Sequence, residues 1–196
     1  MNQKSISSAQ SIPSTQQLVY IALFAAMISA FALVPPIPVP IVPVPVTLQT
    51  LGVMLAGLIL GPRMAWLALL LYVGLALLGL PILPGGRGGL AVLAGPTGGF
   101  LVGFIPGAWL IGLIAGRARQ LSGPMQFARY FVACVLGGIV LVYVIGAVWL
   151  SFVANMELMK AFLAVLVFVP GDMLKAAVAT VVAARLARLQ LLPHSR

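Results

Sequence analysis

From Tyr130 to Leu150 the chain runs 21 residues without a charge. A helix needs about 20 such residues to cross a hydrocarbon core roughly 30 Å thick. Within a run extended to 129–151, this is one of six apolar segments; the others are 18–34, 47–61, 64–80, 98–116 and 162–185. Backbone polar groups in lipid must be satisfied inside each segment, so repeated spans of this kind mean helices. The expected fold is an all-α polytopic membrane protein with six transmembrane helices. Composition points the same way: 62% of the 196 residues are hydrophobic and 7% charged, where a soluble domain carries about 25% charge. A soluble enzyme, a disordered chain and a disulfide-stapled secreted domain are excluded. The lone Cys134, inside an apolar run, reads as a small buried hydrophobe.

Residues 1–17 are Ser/Gln-rich and read as a disordered cytoplasmic tail, 18–188 as a single six-helix domain, and 189–196 as a second cytoplasmic tail. The second apolar segment is short, between Pro45 and Pro62. It must be tilted, buried by its neighbours, or extended by the chain before it. An Ala-x-Ala pattern at Ala30 and Ala32 resembles a signal-peptidase site, but the first segment is taken as a retained span.

The basic residues set the orientation. If the N-terminus is inside, Lys4, Arg63, Arg117, Arg119, Arg129, Arg185, Arg188 and Arg196 fall on the cytoplasmic side, with Arg87 and Lys160 opposite and Lys175 within the last segment. Eight against two places both termini in the cytoplasm. The net charge of +9 is therefore topology, since the cations are scattered between apolar runs and form no patch for nucleic acid.

The outer connections are unusual. The first, residues 34–45, has proline at positions 35, 36, 38, 40, 43 and 45, which forbids a helix and predicts an extended, polyproline-like strap over the bundle. The second, residues 81–99, contains Pro84-Gly-Gly-Arg-Gly-Gly89 and Gly95-Pro-Thr-Gly-Gly99. Its glycines permit tight turns and close backbone approach to a ligand. Two elaborate loops on one face, with Arg87 as their single charge, suggest a lid over a pocket.

The chain has only two acids, Glu157 and Asp172. Asp172 follows Pro170-Gly171 and stands three residues before Lys175, so both occupy the first turns of the last helix on one face. Charges within a membrane are costly and usually face a cavity. Either the pair is self-neutralising and opens the helix, or Asp172 accepts from ligand N–H groups while Lys175 donates to an oxyanion or carbonyl. With Arg87 the balance suits a small monoanion with an apolar body. Thr47, Gln49 and Thr50 open the second helix on the same side; Thr47 is equally suited to an N-cap, whereas the Gln49 amide needs partners. Thr97 is a turn residue or a ligand contact, Tyr143 and Trp149 offer rings to stack on a ligand, with Trp149 alternatively an interface anchor, and Glu157 and Lys160 lie in water.

No catalytic constellation is visible. The single histidine, His194, is in the C-terminal tail, which leaves no basis for His-based metal or nucleophilic catalysis in the membrane. Without a Walker-type phosphate loop, transport driven by ATP requires another subunit. The first helix carries Ala22, Ala26 and Ala30 at four-residue spacing, a smooth stripe for a partner helix, in this chain or another.

Taken together, Pro43-Val-Pro-Val-Thr-Leu-Gln-Thr-Leu-Gly-Val-Met-Leu-Ala-Gly57, Leu60-Gly-Pro-Arg63, the two glycine clusters and Pro170-Gly-Asp-Met-Leu-Lys175 resemble the BioY family, the biotin-specific S components of energy-coupling factor (ECF) transporters. The resemblance spans about residues 18–188. It implies an S-component fold in a prokaryotic cell membrane, a biotin pocket near the outer face lined by Asp172 and Lys175, and no cofactor, biotin being the ligand. It also implies that the alanine stripe docks on a transmembrane T subunit driven by ATP-binding subunits. Some members follow Gly-Pro-Thr with an arginine where this chain has Phe100, so Arg87 is the candidate to supply that guanidinium. Another vitamin as substrate, action without an energising module, an intramembrane enzyme and a non-binding assembly subunit are the rival readings.

Overall fold

The structure, a computed structural model, describes residues 13–40, 42–116, 118, 121 and 123–189. The expectations for Lys4, Arg117, Arg119, His194, Arg196 and most of both tails lie outside these residues. Helix α1, Thr15–Leu33, starts earlier than the apolar pattern predicts. The cause is local: Ser14 Oγ accepts from the Gln17 amide at 3.3 Å while Gln17 Oε1 accepts from the Ser14 amide at 2.9 Å, a reciprocal cap that recruits the end of the polar tail.

The proline-rich connection departs from the all-α expectation. It folds into an antiparallel hairpin of β1, Ile37–Val39, and β2, Val42–Val46, with Ile37 opposite Val46 and Val39 opposite Val42 across an irregular register. Polyproline and β conformations are neighbours in dihedral space, and a two-stranded hairpin has free edges that tolerate missing N–H groups. Val42 and Val44 turn inward while Pro43 faces out, so the apolar alternation supplies the pairing face that the prolines alone do not.

Helix α2, Gln49–Leu60, is buried at ten of its twelve residues. Its shortness follows from that position: neighbours rather than lipid surround it, and the hairpin feeds into it. Gly61, at φ +78°, turns the chain directly into α3, Pro62–Leu77. Helix α4, Gly98–Gly116, crosses tightly at this turn, where a Cβ on Gly112 would lie 2.5 Å from the Pro62 nitrogen. Close approach through small residues is how helices associate without a hydrophobic driving force between them.

Two long rods complete the bundle. One joins α5, Gly123–Ala133, through a π-helical stretch, Cys134–Leu141, to α6, Val142–Val153. The other joins α7, Leu158–Val165, through a single 3₁₀ turn, Leu166–Phe168, to α8, Val169–Arg188. Pro170 thus stands at the start of α8, as expected, but the rod as a whole begins earlier, at Leu158. Among the described residues four helical rods, 15–33, 98–116, 123–153 and 158–188, are long and apolar enough to cross a membrane; α2 and α3 are shorter apolar helices. Outward-facing Leu23, Trp66, Val144 and Leu174 give the molecule an exterior suited to lipid.

Candidate functional site

One end of the bundle gathers the beginnings of α2 and α4, the loop after α3 and the hairpin, while α6 and α8 reach in from below. Between them lies a cavity that is partly open to the outside. Thr47, Gln49, Arg87, Thr97, Asp172 and Lys175 all line it. Six polar residues, from four separate stretches of an apolar chain, thus converge on one space.

The floor is built around Asp172, which is 4% exposed. Asp172 lies in the first turn of α8, as the sequence predicts, and because α8 continues the rod Leu158–Arg188 it sits about 20 Å from the start of that rod. Its Oδ1 accepts from Lys175 Nζ at 2.7 Å and from Thr50 Oγ1 at 2.8 Å; its Oδ2 accepts from the Tyr143 hydroxyl at 2.7 Å. A carboxylate offers about four acceptor positions, so one remains for a ligand. Lys175 donates in addition to the Thr47 carbonyl at 2.6 Å and to Thr50 Oγ1 at 3.1 Å. All three of its N–H groups go to protein oxygens, and Lys175 ties α8 to the start of α2. Thr47 serves through this carbonyl; its side chain does not cap α2.

Gln49 is buried, and its amide donates to the Tyr72 hydroxyl, which in turn donates to the Ile82 carbonyl at 3.2 Å. This relay anchors the loop that follows α3. Farther along, Gly85 and Gly86 at φ +76° and +68° fold the chain back so that Leu83 and Arg87 pair across a tight turn. Arg87 is exposed, with its Nε donating to the Pro84 carbonyl at 3.0 Å. The chain's two acids are already paired, Asp172 with Lys175 and Glu157 with Lys160 at 3.5 Å on the surface. Among the described residues Arg87 thus has no acidic partner at the cavity mouth.

The walls are aromatic and aliphatic. Phe168 stands edge-on to Tyr143 and Phe100, with ring centroids 6.4 and 6.5 Å away. Phe100 lies against Gly146, where a Cβ would come within 2.4 Å of the ring. Trp149 does not line the cavity; its Nε1 donates to the Gly95 carbonyl at 3.2 Å, pinning the second glycine cluster beside Thr97. Sequence reasoning treated Tyr143 only as a ring and left Thr50 without a role. The available signals were the i, i+3 placement of Thr47 and Thr50 and the need of a buried phenol for a partner.

On the far side of α1, Ala22, Ala26 and Ala30 are all exposed, whereas Ile21, Phe24, Ala25 and Ile28 pack into the bundle. The stripe faces away from the described helices of this chain.

A family model described as the BioY family matches residues 1–191. The biotin transporter BioY of Rhizobium etli is 46% identical over 168 residues, covering 85% of this chain and 90% of that protein. The probable biotin transporter BioY of Bacillus subtilis is 40% identical over 169 residues, covering 86% and 89%. Among solved structures, the crystal structure of the S-component for biotin from an ECF-type ABC transporter is similar with a TM-score of 0.84 at 35% identity, covering 91% of this chain and 95% of that one.

Proposed function

The chain belongs to the BioY family, and from that premise we propose that the cavity is where it takes up biotin. It is a biotin transporter component, not an enzyme, and biotin is its substrate rather than a cofactor. The observation that carries the site assignment is the one unfilled acceptor position on a buried carboxylate, set beneath a guanidinium with no acidic partner among the described residues. Biotin has the complementary layout: ureido N–H donors on a compact apolar bicycle, and a carboxylate at the end of a flexible chain. In this reading the ureido ring lies deep, donating to Asp172 among Phe100, Tyr143 and Phe168, and the carboxylate points to Arg87. Thr97 and Gln49 flank the ligand, while Thr47 and Lys175 hold the floor. Arg87 then stands in for the arginine absent at Phe100.

The finer topology follows the same reading. Residues 18–188 form six spans, with α2 and α3 as the two short ones, and the positive-inside count puts both termini in the cytoplasm of a prokaryotic cell. The exposed Ala22–Ala26–Ala30 face receives an ECF T subunit, through which ATP-binding subunits drive transport. Titration of the purified chain with biotin gives a saturable heat signal at 1:1 stoichiometry; no heat at micromolar biotin overturns the assignment. Ala26→Trp abolishes co-purification with the T subunit and leaves biotin affinity unchanged; intact co-purification moves the docking face elsewhere.

A further inference from the structure

The Asp172 carboxylate is held unevenly. Oδ1 has two partners, Lys175 and Thr50, both reaching it from the α2 side or from its own helix. Oδ2 has one, the Tyr143 hydroxyl on α6. The torsion that turns a carboxylate about its Cβ–Cγ bond is broad and weakly restrained by itself. Contacts at Oδ1 alone leave Oδ2 free to swing; the phenol fixes the plane and with it the direction of the remaining lone pair. Tyr143 is itself well set for this. It is 6% exposed, lines the cavity, and has its ring edge-packed on Phe168, so packing holds the ring where its hydroxyl meets Oδ2.

We propose that Tyr143 is the positioning residue of the site: its hydroxyl, bonded to Asp172 Oδ2, orients the carboxylate toward a ligand N–H and so sets selectivity for a ureido group. This rests on the biotin reading given above. A hydrogen bond to a charged acceptor is among the stronger kinds, yet Tyr143→Phe deletes only one oxygen and keeps the ring against Phe168. The effect therefore reports orientation rather than lost packing.

The test is a double-mutant cycle on the full chain in detergent, with biotin and a biotin analogue methylated on both ureido nitrogens as probes. Tyr143→Phe should weaken biotin by about ten-fold, yet change binding of the methylated analogue less than two-fold. In an Asp172→Asn background, where the anionic acceptor is gone, adding Tyr143→Phe should cost less than about two-fold further. Equal biotin affinity for wild type and Tyr143→Phe overturns the proposal, as does an equal loss in both backgrounds, which would mean packing alone. Thr50→Val is measured in parallel as a second loss of a carboxylate partner. Because it leaves Oδ2 held, it should discriminate less between biotin and the methylated analogue than Tyr143→Phe does; the reverse order also overturns the proposal. A wild-type chain that binds no biotin defeats the functional reading itself, a result distinct from any of these.

Discussion

The floor and the mouth of the cavity each carry positive charge, but in opposite physical states. At the floor, Lys175 has its three N–H groups committed to Asp172, Thr50 and the Thr47 carbonyl, and the ion pair is nearly dry, its side chains 11% and 5% exposed. At the mouth, Arg87 is exposed, rides on a turn made by two left-handed glycines, and spends one N–H on a carbonyl three residues back. A buried pair is weak as a source of net stability, yet breaking it by removing one partner is expensive. An exposed cation costs nothing to leave unpaired and is free to meet an incoming anion. On the proposed biotin reading the difference separates two tasks: the floor is a preformed, charge-neutral template, and the mouth supplies the charge that selects an anion.

The largest effect should come from breaking the template. Asp172→Ala strands Lys175, Thr50 and Tyr143 together; removing one member of a buried pair costs about 3–5 kcal/mol. Biotin affinity should fall at least ten-fold in a titration, with a lowered unfolding temperature in detergent. Wild-type values for both would show that the floor is not a template. An intermediate effect is expected at the mouth. Arg87→Ala should weaken biotin by about ten-fold at low salt, and by less as ionic strength rises, without altering thermal stability. It should leave the affinity for biotin methyl ester unchanged. Equal losses for acid and ester would mean that Arg87 shapes the loop rather than meets a carboxylate. The smallest effect belongs to Glu157→Gln. Its partner Lys160 is 72% exposed and the acid 66%, and such surface pairs contribute little; a measurable change in biotin binding would extend the site to the turn before α7.

Much of this arrangement was legible in the sequence because the chain is so poor in polar residues. In a membrane each charge stands out, and Asp172, Lys175 and Arg87 needed no structure to be suspected. Their division of labour did need one. Lys175 looks like a ligand donor in sequence, and only the geometry shows all its donors occupied by protein oxygens. Tyr143 was hidden for the opposite reason: a phenol in an apolar run is locally unremarked until something polar faces it. The hairpin was obscured because proline excludes a helix without specifying a partner strand, and pairing Ile37 with Val46 is a non-local choice. Helix α2 shows the same limit. Hydropathy registers a short apolar stretch but cannot distinguish a short span in lipid from one wrapped by α1, α3, α4 and α8.

The π-helical stretch between α5 and α6 has its own consequence. Each of its i→i+5 closures takes in one residue more than an α-turn, and its Gly137 and Gly138 let it lie directly on α4, Ile111 and Met54. One residue is about 100° of helical phase, so the stretch acts as a phase coupling between the two halves of the rod. Below it, Tyr130 and Ala133 keep the register that packs the bundle; above it, Val142 and Tyr143 keep the register that faces the cavity. A single rod thereby serves two surfaces, the packed bundle on one side of the stretch and the cavity on the other.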